Sequence, residues 1–134
     1  ILQGLRIALD YIDEVIAIIK KAKDTSTEDL LSCDGLAIGS PEYFGYMAGA
    51  IKDFFDRTYL NAREKTFRLP YVLFVCAGND GRGAITQIER IAVGYKWKMV
   101  AKPIRAITPV KKEIIKEAEE MGQTLAAGVE SGIF

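Results

Sequence analysis

The stretch Gly39-Ser40-Pro41-Glu42-Tyr43-Phe44-Gly45-Tyr46-Met47 decides how this chain is read. It follows the apolar run Leu36-Ala37-Ile38 and opens into an amphipathic segment, Ala48 to Arg57. The pattern is that of a buried strand that breaks into a Gly/Pro turn, shows two or three aromatic rings, and becomes a helix. Gly45 permits backbone angles that a Cβ resists, and Pro41 fixes φ and removes a donor. A turn of this kind stands at the carboxyl end of a strand, where open α/β sheets keep their ligand crevice. Rings on such a turn suit a flat, partly apolar ligand. The competing reading is a plain strand–helix connection whose aromatics cap the core.

Working outward, the spacing predicts alternating strands and helices. Ile1 to Arg6 reads as the last turns of a helix, and the β-branched run Val15 to Ile19 as a strand buried on both faces. A single helix from Ile1 to Lys23 also fits the spacing, but helix then strand is preferred. Thr25-Ser26-Thr27-Glu28 has the form of a capping box that starts a short helix ending near Ser32. A helix over Met47 to Tyr59 turns Met47, Ala50, Ile51, Phe54 and Phe55 inward. Asn61 to Arg68 is a polar surface connection. Tyr71 to Cys76 is apolar throughout, hence a central parallel strand, and it ends in the glycine-rich turn Ala77 to Gly83. Ala84 to Val93 is helical, with Gly94 as its stop. Lys98 to Ile107 is a further strand whose Pro103 marks an edge or a bulge. Thr108-Pro109 reads as an N-cap followed by a first-turn proline, opening a last helix that runs to about Ala127 and faces inward through Ile114, Ala118, Met121 and Leu125. This alternation predicts a three-layer α/β/α sandwich around a parallel sheet, in one domain over 1–134.

Composition narrows the function classes. The chain has 134 residues, 49% of them hydrophobic, with 18 basic and 18 acidic side chains and no histidine. A zero formal charge argues against a nucleic-acid footprint, and the missing histidine removes the commonest general base and metal ligand. Cys33 and Cys76 have neither zinc-ligand spacing nor a disulfide framework, so buried thiols in a reducing compartment are expected. No run is long and apolar enough to cross a membrane, and cytoplasm is the expected location. Trp97, between a helix and the next strand, is expected in the core or an interface rather than over a ligand.

The segment from Gly39 to Arg57, G-S-P-E-Y-F-G-Y-M-A-G-A-I-K-D-F-F-D-R, resembles the flavodoxin-like flavoproteins, especially their branch of NAD(P)H-dependent FMN and quinone reductases. The rest of the chain follows the same pattern more weakly but in order. The resemblance implies the doubly wound strand order 2-1-3-4-5. It implies FMN as cofactor, with Ser40, Pro41, Glu42, Tyr43, Phe44, Gly45, Tyr46 and Met47 lining the flavin ring. The second loop, Ala77, Gly78, Asn79, Asp80, Gly81 and Arg82, would meet the ring's pyrimidine end. There the Arg82 charge would favour the reduced, anionic ring, unless Arg82 is a solvated loop residue or pairs with Asp80. The family pattern begins with a strand and a phosphate-binding loop at a helix N-terminus, and neither is legible here. About 20 upstream residues, one strand plus one loop, are therefore expected in the biological protein.

The activity implied is electron transfer from NAD(P)H to a quinone, flavin or similar small acceptor, in a dimer or tetramer. Two alternatives stay open: a flavodoxin-type electron carrier, and a binding module of this fold without cofactor. Carriers usually dock by a strongly signed surface, which a net charge of zero does not favour.

Overall fold

The computed structural model describes residues 14–134. The helix read over Ile1 to Arg6 lies outside them. The elements in chain order are a 3-10 turn (Ala22–Asp24), α1 (Thr27–Ser32), β1 (Leu36–Tyr43), β2 (Tyr46–Met47) and α2 (Gly49–Ala62). Then come β3 (Pro70–Ala77), α3 (Arg82–Tyr95), β4 (Lys98–Met99), β5 (Ile104–Ile107) and α4 (Lys112–Ser131).

β3 is the middle of the sheet. It pairs in parallel with β1 on one side, Ser40 opposite Val75, and with β4 and β5 on the other, Arg105 opposite Val75. Tyr71, Leu73 and Val75 enter one core with Ile51, Phe54 and Phe55 of α2 and Ile88 and Tyr95 of α3. The alternate residues Val72 and Phe74 enter a second core with Ala118, Met121 and Leu125 of α4. Period-two alternation thus feeds two helical layers from one strand, and the fold is the flavodoxin-like α/β/α sandwich expected. β1, β3 and β5 stand side by side as the last three strands of the expected order do.

Several local expectations are corrected. Val15 to Ile19 forms no strand: Ile16, Ile18 and Ile19 are exposed, and among the described residues nothing pairs with them. β-Branched residues become a strand only when a neighbour supplies the ladder and covers the faces. The helix alternative fails there too. Ser26 rather than Thr25 caps α1: its Oγ accepts from Asp29 N–H at 3.1 Å, while Asp29 Oδ2 accepts from Ser26 N–H at 2.9 Å. β1 does not end at Ile38 but continues to Tyr43 and turns back into β2. Met47 therefore belongs to β2, and Ala50 on α2 is exposed rather than inward. Gly94 does not stop α3. The helix runs to Tyr95, and Lys96 takes the left-handed cap at φ 61°. The strand read over Lys98 to Ile107 is two pieces, broken before Pro103, which has no N–H for the ladder. Thr108 is not a helix cap, because its N–H donates to Ala77 C=O at 3.0 Å and so extends the sheet. α4 begins at Lys112 and runs to Ser131, with Ile114 only half-buried. Both cysteines are free and half-buried. Trp97 lies in the core, its ring stacked 4.3 Å from that of Tyr95 and its Nε1 donating to Thr66 Oγ1.

Candidate functional site

At the carboxyl end of the sheet two turns meet. The first is the two-residue hairpin between β1 and β2, where Phe44 has φ 53° and Gly45 φ 71°. Positive φ at both central positions is the primed turn that matches strand twist, and it normally selects Asn-Gly or another glycine pair. Phe44 holds this conformation against its own Cβ. Its ring is fully exposed and that of Tyr43 is 61% exposed. Locally unfavourable backbone carrying an exposed aromatic is the kind of strain found at ligand clamps.

The second turn, Gly78 to Gly81, follows β3 and leads into α3. Its Gly81 is buried at φ 75°. The two turns pack backbone to backbone: a Cβ on Gly83 would overlap the Gly45 carbonyl oxygen and stand 2.7 Å from its carbon. Glu42 fastens them, Oε1 accepting from Gly81 N–H at 3.1 Å and Oε2 from Ala84 N–H at 3.0 Å. A carboxylate at the start of α3 complements the helix dipole and satisfies two of its orphan donors. Arg105 of β5 approaches from the opposite side and donates from Nη1 to Asp80 C=O at 2.6 Å.

The residues expected to line a ligand therefore divide. Tyr43, Phe44, Gly45 and, at 36% exposure, Tyr46 stand on the surface beside exposed Gly78, Asn79, Asp80 and Arg82. Ser40 and Met47 are buried and brace the turn from beneath. The Ser40 hydroxyl accepts from Ala48 N–H at 3.0 Å and donates to Pro41 C=O at 2.7 Å, while Met47 joins the core. Ala77 is also buried. Pro41 lies in the ladder opposite Cys76. Glu42 has both carboxylate oxygens engaged by α3. The Asp80 carboxylate accepts from Arg82 N–H rather than pairing with the Arg82 guanidinium. Arg105 escaped the sequence reading, because only the parallel register of β5 on β3 brings it beside Asp80.

Chemically, the two turns form an exposed ledge that carries both aromatic rings and backbone amides. Among the described residues nothing accepts from the backbone N–H of Phe44, Gly45, Gly78 or Asn79. A separate cleft of about 390 Å³ lies between α4 and the segment before β5, and another of about 490 Å³ between α2 and α3. Neither is lined by the 78–81 turn, and the ledge is the better candidate because it combines exposed rings with available donors.

Residues 13–109 match the NADPH-dependent FMN reductase family. The chain belongs to that family. No curated protein matches it. Among solved structures, a flavodoxin from the domain Archaea superposes with a TM-score of 0.79 at 15% identity, over 96% of this chain and 87% of that one. A WrbA-like flavodoxin protein from Agrobacterium tumefaciens gives 0.73 at 14% identity, over 96% and 89%. A flavodiiron core from Synechocystis gives 0.79 at 19% identity, over 97% of this chain but 32% of the other. The chain thus spans about a third of that flavodiiron protein. These likenesses establish the fold.

FMN is the cofactor of the family, and the ledge is the candidate for its ring end. A flat tricyclic ring needs apolar contact on a face and donors along its pyrimidine edge. The exposed Tyr43 and Phe44 rings and the available amides of Gly78 and Asn79 supply those two kinds of group. Gly78 has open space where a Cβ would stand, so the ring can approach its backbone. The start of α3 does not fit the phosphate, since Glu42 already holds it and two anions there would repel.

Proposed function

We propose that this chain is an FMN-dependent oxidoreductase that takes reducing equivalents from NAD(P)H and passes them to a small acceptor such as a quinone or a free flavin. The observation that carries the reading is the juncture of the two turns, exposed aromatics at Tyr43 and Phe44 butted through Gly45 onto Gly83 beside the amides of Gly78 and Asn79. When bound, FMN supplies the hydride and electron chemistry. The chain's own residues bind and orient the ring: Tyr43 and Phe44 by stacking, about 0.5–1.5 kcal/mol beyond area, and Gly78 and Asn79 by donating to its polar edge. Arg82, exposed at the start of α3, would place positive charge near that edge. Association into a dimer or tetramer is part of the same proposal. No helix among the described residues is long and apolar enough to cross a membrane.

The test is titration of the full-length protein with FMN, followed by NADPH oxidation with a quinone acceptor. Stoichiometric flavin uptake, weakened in Tyr43→Ala, together with acceptor-dependent NADPH oxidation is the expected result. Uptake without oxidation would indicate an electron carrier instead. No uptake at all would leave a fold used for binding something else.

A further inference from the structure

The peptide group joining Asp80 to Gly81 is gripped at both ends by opposite charges. Its N–H donates to the Glu42 carboxylate and its C=O accepts from the Arg105 guanidinium. The arms come from β1 and β5, on opposite sides of β3. Hydrogen bonds to ionised groups are about twice as strong as neutral ones, and two on one amide polarise it so that each reinforces the other. We propose that Arg105 is a positioning residue which, with Glu42, clamps the Asp80–Gly81 peptide. The clamp fixes the orientation of the second turn and so the direction in which the Gly78 and Asn79 amides are presented. This rests on the FMN reading above.

The packing agrees. The Arg105 Cδ lies 3.7 Å from where a Gly81 Cβ would stand, so the aliphatic stem covers this left-handed residue while the head reaches past it to Asp80. Glu42 also ties Ala84 N–H, so the same carboxylate seats the turn on α3. A turn held from one side alone could rotate this peptide by exchanging its ψ at Asp80 against φ at Gly81, which glycine permits at little cost. Held from both sides it does not rotate.

The experiment uses full-length Arg105→Met, Arg105→Lys, Glu42→Gln and the Glu42→Gln/Arg105→Met double variant. Amide hydrogen exchange at Gly81 is measured without flavin, and FMN affinity by fluorescence quenching. Arg105→Met is expected to speed Gly81 exchange by about tenfold, one charge-assisted hydrogen bond at an exposed site, and to raise the FMN Kd several-fold. Arg105→Lys should recover part of both. The double variant should weaken FMN by less than the product of the single effects, since either change already opens the clamp. Gly81 exchange and FMN Kd unchanged in Arg105→Met, or strictly multiplicative single effects, would overturn the proposal. Should wild-type protein bind no FMN while Gly81 exchange still depends on Arg105, the flavin reading falls and the clamp stands.

Discussion

Replacing Gly83 by alanine sets two effects of known sign against each other. In a helix interior alanine is favoured over glycine by about 0.8–1 kcal/mol. At Gly83 the new methyl would collide with backbone, overlapping the Gly45 oxygen and standing 2.7 Å from its carbon and 3.1 Å from its Cα. Carbon atoms pack best at about 3.5–4.0 Å, so the turn has to retreat by about 1 Å. No side-chain rotation relieves that, and overpacking of this kind costs about 1–3 kcal/mol. The net expectation is a loss of up to about 2 kcal/mol, a fall in Tm of up to about 8 °C for a domain of this size. Gly94, on the same helix, is the control. A Cβ there would meet Tyr59 at 3.5 Å, an ordinary contact, so Gly94→Ala should stabilise by up to about 1 kcal/mol. Calorimetry of both variants reads the difference. FMN titration reads the displaced turn, with affinity expected to fall about tenfold in Gly83→Ala alone, by the sensitivity of bound geometry to such shifts. If the two alanine variants match in Tm and in FMN affinity, the turn–helix contact does not organise the site.

Phe44→Asn should raise stability by about 1 kcal/mol, because asparagine tolerates the left-handed angles that Phe44 now holds, and should lower FMN affinity; a gain in stability with unaltered affinity would remove Phe44 from the flavin contact. Arg82→Ala should make the bound flavin harder to reduce, as measured by dye-equilibrated potentiometry, and an unmoved potential would make Arg82 a solvated surface residue. The Asp29 carboxyl is held down from 3.8 to about 2, first by the Lys20 ammonium hydrogen-bonded to it and next by Ser26 N–H. Its folded value is the depressed one, so its contribution to the α1 cap is present above pH 3.8 and is lost as pH falls through about 2. Lys20→Met should move its NMR titration upward, and no movement would refute that assignment. Tyr71 and Tyr95 are pushed from 10.0 up to about 12, chiefly by burial. Both are raised, so the stability they contribute is intact below pH 10 and disappears as pH rises through about 12. Ultraviolet titration should show their ionisation coinciding with loss of the fold, and early ionisation of a folded chain would contradict it.

Much of this protein was legible in its residues because burial leaves a periodic trace. Tyr71 to Cys76 announced a strand covered on both faces, and the 3.6-residue spacing of Ile51, Phe54 and Phe55 announced a helix against it. Within the Gly39–Met47 run Gly45 announced a turn, but its place, after a strand that runs on to Tyr43, was not legible. Where a residue's role depends on a neighbour distant in sequence, the trace fails. Val15 to Ile19 has the composition of a strand, yet among the described residues no ladder receives it. Thr108-Pro109 has the form of a helix start, yet Ala77 C=O draws Thr108 into the sheet. Ser40 stood in the ligand-facing run, and its hydroxyl proved to be tied to Ala48 and Pro41. The sequence by itself determined the fold class and where two glycine-bearing turns follow strands, since hydrophobic period and glycine placement are local properties. Only the tertiary structure decided how those turns are joined. Glu42 reaches Gly81 and Ala84, Gly83 makes room for Gly45, and Arg105 closes on Asp80 because parallel pairing brings three strand ends into register.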